Sequence, residues 1–297
     1  MPMAARKPGA GRSFALVFSG GGARGLSHAG VLRALVGRGH VPSAIVGISM
    51  GAVVAATYAL NENWFDDLID MDTSGFPAPP NFRAQGLRAK ARALRIAIGA
   101  AHDMYFGWGT GARSEKWGRD VLFYLTRGRN LEDGRLPVYV CATDMLTGER
   151  VIRSSGLAAD RVYASAAIAG ILPPLVDGPH VLMDGAYADI APVDVARATG
   201  AEVVIAVDPS QQGTAVGPQN GLQAMLRSVE ICQTEHARLR FRQADLVIRP
   251  QFAHSVGTLD FQMKRHCIAA GARAVRKSGA QIRTLLGQEA APDEAPD

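Results

Sequence analysis

Apolar residues along the chain fall in short runs separated by stretches with helical spacing. Phe14–Phe18 is uninterrupted apolar sequence closed off by glycines, the pattern of a strand buried on both faces. Gly20–Gly25 follows as a glycine loop. Leu26–Arg38 then places Val31, Leu32, Leu35 and Val36 at helical spacing, and Gly37 and Gly39 stop the helix. Ala44–Ile48 predicts a second strand and Met50–Leu60 a helix; Trp64, Phe65, Leu68 and Ile69 mark another short helix. Further strands are predicted at Pro137–Ala142, at Glu149–Arg153 across a Thr147-Gly148 turn, and at Val181–Met183, Glu202–Val207 and Leu246–Ile248. Asp160–Ile168 predicts a helix ended before Pro173-Pro174, and Gly221–Arg242 and Leu259–Leu286 predict helices late in the chain. Strands separated by helices imply an α/β fold with a mainly parallel central sheet covered by helices on both faces.

No linker divides the 297 residues cleanly. The expected organisation is a flexible basic N-terminus (1–12), a catalytic domain (13–210), a helical extension with one added strand packed on the same domain (211–286), and a disordered tail rich in Glu, Asp, Ala and Pro (287–297). The three cysteines, Cys141, Cys232 and Cys267, have neither the number nor the spacing of a disulfide framework or a zinc site, which fits a reducing compartment. The net charge of +5 is too diffuse to argue nucleic-acid binding, and the basic start lacks the apolar run of a signal peptide. Val41–Asn61 carries no charge, but Pro42, Gly47, Ser49 and Gly51 break it, so a buried strand, a tight turn and a buried helix describe it better than a membrane span.

Three motifs could carry chemistry. In Gly20-Gly21-Gly22-Ala23-Arg24-Gly25, successive glycines let several backbone N–H groups point at one spot beside a helix N-terminus, suited to a phosphate or a developing oxyanion. The loop also matches a dinucleotide fingerprint, yet the acid that fingerprint needs about 20 residues later is missing, the next being Glu62. Gly47-Ile48-Ser49-Met50-Gly51 lies between a strand and a helix, where G-x-S-x-G forms a nucleophile elbow. A serine nucleophile needs a proton acceptor. His236, His254 and His266 come late enough for an α/β-hydrolase triad but sit in settings typical of surface or packing histidines. Asp184, after the strand Val181–Met183 and before Gly185-Ala186, is the alternative, and an ordinary Asp-Gly turn explains it equally well when it is taken alone.

Taken together and in this order, the three motifs resemble the patatin-like phospholipase family. Cys141-Ala142-Thr143-Asp144 with Thr147-Gly148-Glu149, and Ala164–Ile168 before Pro173-Pro174, add to a resemblance that covers roughly Phe14–Ser210. It implies a Ser-Asp dyad without histidine and without metal or cofactor. Ser49 would attack a lipid ester, Asp184 would take its proton, and Gly20, Gly21 and Gly22, helped by Arg24, would form the oxyanion hole. Gly25, Gly47, Gly51, Gly185 and Ala186 would support the motifs. The implied substrate is a phospholipid or lysophospholipid. One departure is visible: Ile168-Ala169-Gly170 stands where members often carry Ile-Pro-Gly. Two other readings stay open, a Ser-His-Asp esterase of small soluble esters and a weakly active acyl-lipid-binding regulator.

Phe76–Ala101 holds Arg83, Arg88, Lys90, Arg92 and Arg95 and no acid. Leu87, Ala91, Leu94 and Ile98 fall on one helical stripe and Arg88, Arg92 and Arg95 on the next. Such a helix is expected either to pack on the sheet with solvated arginines or to cap the acyl site against an anionic membrane. The expected location is cytoplasmic, with peripheral association at the inner membrane face as an option that this segment leaves open.

Overall fold

The computed structural model describes residues 11–75, 87–108, 112–211, 217–218 and 221–288. Its centre is an eight-stranded sheet of β1 (Phe14–Phe18), β2 (Ala44–Ile48), β3 (Val138–Asp144), β4 (Arg150–Arg153), β5 (Leu175–Asp177), β6 (His180–Asp184), β7 (Val203–Val207) and β8 (Leu246–Ile248). The strand order is β5-β6-β3-β2-β1-β7-β8, with β4 pairing β3 off this path. From β3 through β2, β1 and β7 to β8 the strands run parallel. β4, β5 and β6 join through antiparallel pairs, so the sheet is mixed and mostly parallel.

β1, β2 and β7 are buried on both faces, which is why they read as unbroken apolar runs rather than alternating ones. Phe14, Leu16 and Phe18 of β1 face a large core shared with α1 (Ser27–Val36), α2 (Met50–Leu60), α3 (Trp64–Asp70), α5 (Ala112–Leu125), α6 (Ala158–Ala166) and α9 (Lys264–Lys277). Ala15 and Val17 face a smaller core with α7 (Val193–Ala198) and α8 (Gly221–Phe241). Every residue of α2 is buried, the composition of a helix enclosed on all sides. Val41–Asn61 thus resolves into β2, a turn and α2, and no described helix is long and apolar enough to cross a membrane.

α1 and α9 cross with their backbones in contact. A Cβ on Gly30 would lie 1.8 Å from the Ile268 carbonyl oxygen, and one on Gly271 would lie 1.9 Å from that of Ser27. α9 is followed by α10 (Gly279–Leu285), so the predicted helix Leu259–Leu286 is two helices preceded by a 3-10 turn at Phe261–Met263. The predicted helix Leu26–Arg38 likewise starts as a 3-10 turn at Gly22–Leu26 and continues as α1. α4 spans Leu87–Phe106; the earlier part of the predicted Phe76–Ala101 segment, with Arg83, lies outside the described residues, as do most of the expected flexible start and tail.

Candidate active site

The register of the sheet brings two of the motifs together. Ile48 at the end of β2 pairs with Cys141 of β3, and Asp184 at the end of β6 pairs with Ala142, the next residue of β3. The strand ends that carry Ser49 and Asp184 therefore meet along β3. Ser49 holds φ 53° and ψ −126°, one of only two non-glycine residues with positive φ among those described. This is the strained strand-to-helix geometry that a nucleophile elbow requires. The turn closes tightly: a Cβ on Gly47 would lie 2.6 Å from the Ala52 Cα, and one on Gly51 would lie 2.2 Å from the Phe18 carbonyl oxygen. The elbow is thus pressed between α2 and β1 with no room for a side chain.

Ser165 on α6 holds this turn from below, and sequence reasoning missed it. The Ser49 N–H donates to the Ser165 hydroxyl at 2.9 Å, and that hydroxyl donates to the Cys141 carbonyl at 2.5 Å. Its only signal was its place in Ala164–Ile168. Ser165→Ala would leave a buried N–H and a buried carbonyl short of partners. The expected result is a loss of stability of about 1–3 kcal/mol in chemical denaturation and a lower kcat with KM little changed, because the elbow loses its anchor.

Asp184 is buried, and its surroundings hold it by every backbone group. Its N–H donates to the Ala167 carbonyl at 3.0 Å, and its carbonyl accepts from the Thr143 hydroxyl at 2.9 Å. Thr143 in turn accepts from the Ala188 N–H, a second positioning role that the sequence did not reveal. Gly185 packs so closely that a Cβ there would lie 2.2 Å from the Cys141 carbonyl oxygen. Burial pushes the Asp184 carboxyl up to about 6, while hydrogen bonds from the Ala186 N–H and the Ser49 hydroxyl pull it back down. Among the described residues no histidine hydrogen-bonds to Ser49 or Asp184. His28 stacks on Phe18 and meets the Ser19 carbonyl at 2.9 Å, and burial drives it down to about 4, so it stays neutral. His180 is taken by Asp144 at 2.7 Å. His254 and His266 face each other, and His236 lies on α8.

The glycine loop leads from β1 into the 3-10 turn. Gly22 has φ 52°, a conformation that glycine adopts freely, and a Cβ there would lie 2.2 Å from the Thr258 carbonyl oxygen. Gly20 lies beside the site, where a Cβ would sit 3.3 Å from the Ala186 Cβ and 3.7 Å from the Ser49 Cβ. Gly21 abuts Pro209, and Gly25 abuts Met50. The Ala23 N–H is already spent on Thr258, whereas the Gly20, Gly21 and Gly22 amides donate to no described residue. Arg24 departs from expectation. Its guanidinium turns to the Val256 carbonyl at 2.9 Å and to Glu230 of α8 at 2.6 Å, because a buried cation needs an anionic partner. It braces the loop against α8.

A second brace holds the chain after Asp184. Arg150 of β4 contacts Asp189 and Asp194 at 2.7 Å each, and Arg240 of α8 joins both carboxylates. The Ala169 N–H donates to the Tyr187 hydroxyl at 2.9 Å. A proline at that position has no such donor, so the departure at Ile168-Ala169-Gly170 ties this turn to the segment that follows Asp184.

A family model described as patatin-like phospholipase matches residues 16–197, which include all three motifs. The chain belongs to the patatin-like phospholipase family. Its relatives include mouse patatin-like phospholipase domain-containing protein 7, 32% identical over 200 residues, which are 67% of this chain and 14% of that protein. Lysophospholipase NTE1 of Mycosarcoma maydis is 34% identical over 200 residues, 67% of this chain and 10% of its own length. The chain thus spans a small part of these relatives. Among solved structures, VipD from Legionella pneumophila aligns at 13% identity with a TM-score of 0.45, over 90% of this chain and 66% of that one. Human GIVD cytosolic phospholipase A2 aligns at 10% identity with a TM-score of 0.47, over 93% and 60%. The glycine loop, the Ser49 turn and the Asp184-Gly185-Ala186 turn all lie within the matched region, and the sheet register brings the last two together.

Proposed function

We propose that this chain is a serine lipid acyl hydrolase of phospholipase A or lysophospholipase type, working through a Ser49–Asp184 dyad. The observation that carries the reading is a buried carboxylate beside an elbow serine that hydrogen-bonds no described histidine. Ser49 attacks the ester carbonyl while Asp184 takes its proton. The N–H groups of Gly21 and Gly22 stabilise the tetrahedral oxyanion, and Arg24 keeps their loop in place. The leaving alcohol takes the proton, and water then hydrolyses the acyl-enzyme by the same route. Release of fatty acid from phosphatidylcholine and lysophosphatidylcholine tests this directly. Turnover confined to short soluble esters would favour the esterase reading, and binding without turnover the regulator.

Contact with an anionic membrane belongs to the same proposal. On α4, Ala91, Leu94 and Ile98 of the apolar stripe are exposed beside exposed Arg88, Lys90 and Arg95, and Phe106 and Trp108 are exposed beyond them. An unburied apolar stripe flanked by cations suits an interfacial helix. Arg88→Gln, Arg92→Gln and Arg95→Gln together should weaken binding to anionic vesicles on the order of a hundredfold, at about 1 kcal/mol per cation, and binding of the wild type should fall as salt rises. Vesicle co-sedimentation reads both effects, and hydrolysis of a soluble ester should hold.

A further inference from the structure

A group of arginines that meet no carboxylate among the described residues lies on the α1–α3–α9 face, outside the Ser49 site. A cleft of about 420 Å³ opens there, lined by Arg33 and Arg38 from α1 and the turn after it, Arg265 and Arg276 from α9, and Phe65 and Ile69 from α3. Its volume is in the range of small-ligand sites. Gly30, where α1 crosses close against α9, is part of its lining.

The charge in this cleft is uncompensated. Elsewhere arginines such as Arg150, Arg161, Arg197 and Arg240 meet carboxylates. Among the described residues none of the four cleft arginines does, and no carboxylate lines the cleft. From Lys264 to Leu286 the chain carries six lysines and arginines and no acid. Two of the guanidinium groups are already held in place: Arg33 stacks over the Phe65 ring at 3.8 Å, and Arg38 donates to the Ala34 carbonyl at 2.9 Å. Four cations line one cleft with no carboxylate among its lining residues, which favours an anion there. Guanidinium forks match phosphate oxygens in pairs.

We propose that this cleft is a binding site for a phosphate-bearing anion, separate from the Ser49 site, with Ile69, Ala269 and Ala272 of its lining available to an apolar part of the ligand. The ligand class is a phosphomonoester or diphosphate, whether free in solution or on a lipid headgroup.

The test compares two double variants of the full chain. Arg33→Gln with Arg276→Gln removes two charges from the cleft. Arg273→Gln with Lys277→Gln removes two exposed charges from the same helix outside it. Inorganic pyrophosphate, titrated by calorimetry and by thermal shift, is the soluble probe. Phosphatidylcholine vesicles with and without phosphatidic acid are the lipid probe. The expected result is that one or both probes bind wild type and the outside variant alike, and bind the cleft variant at least about tenfold more weakly. Pyrophosphate should raise the melting temperature of wild type but not of the cleft variant. Binding of pyrophosphate alone assigns a soluble ligand, and binding of phosphatidic acid vesicles alone assigns a headgroup. No binding of either probe, or equal loss in both variants, overturns the site. Melting curves without ligand report whether each variant is folded. If the cleft variant is unfolded, Arg33→Lys with Arg276→Lys replaces it. That variant keeps the charge and removes the forks, and the same tenfold loss is required of it.

Discussion

Ser49→Ala is expected to abolish ester hydrolysis, with a loss on the order of 10⁴–10⁶ in kcat by analogy with serine hydrolases that lose their nucleophile. The fold should survive, because alanine keeps the Cβ and the Ser49 N–H still reaches Ser165. A fluorophosphonate probe should label wild type at Ser49 and leave the variant unlabelled. Labelling at another serine, or full activity in the variant, would remove Ser49 from the mechanism. A companion change separates strain from chemistry. Ser49→Gly also lacks the nucleophile, but glycine adopts φ 53° without penalty. It should melt higher than Ser49→Ala, in keeping with the roughly 1–3 kcal/mol stored in such a conformation.

Asp184→Asn should lower kcat on the order of 10²–10⁴, the contribution of a positioned general base. Single changes of His236, His254 and His266 to Gln should leave most activity. Because burial pushes the Asp184 carboxyl up to about 6, the base is charged only above that pH, so kcat/KM should rise through pH 6. Stability should move the opposite way. A carboxyl whose folded-state pKa lies above its unfolded value of 3.8 contributes fully below that value, and the contribution is lost as pH rises through about 6. The difference amounts to about 3 kcal/mol at about 1.4 kcal/mol per pH unit. Asp184→Asn escapes this penalty, so it should gain stability relative to wild type at pH 8 and not at pH 4. Urea denaturation at the two pH values checks the sign. A stability gap that does not change with pH would mean the carboxyl is not held in its raised state.

The sheet was legible in the sequence because burial on both faces leaves apolar runs such as Phe14–Phe18 and Val203–Val207, which glycine and polar residues then punctuate. β5 was not legible: it has three residues and exposes Val176. α7 is too short for its periodicity to register, and α5 was passed over although Trp117, Val121 and Leu125 repeat at helical spacing. In the site, Ser49 was visible because close packing demands glycine at positions 47 and 51, and Asp184 because it demands glycine at position 185. Ser165 and Thr143 were not, since a hydroxyl inside a helix or strand has many ordinary uses. Arg24 was visible, but its partners Glu230 and Val256 lie 206 and 232 residues away, beyond the reach of local pattern.

The contact between α1 and α9 bears on what can be cut from this protein. The family match ends at residue 197, yet β1 takes one of its two neighbours from β7 at Val203–Val207, and α1 meets α9 through bare backbone at Gly30 and Gly271. A fragment stopping at the end of the match would open the sheet beside β1 and strip the helix that follows the glycine loop of its α9 partner. The region that identifies the family is therefore smaller than the unit that folds. Recombination at its edge would transplant the motifs without the scaffold that holds them.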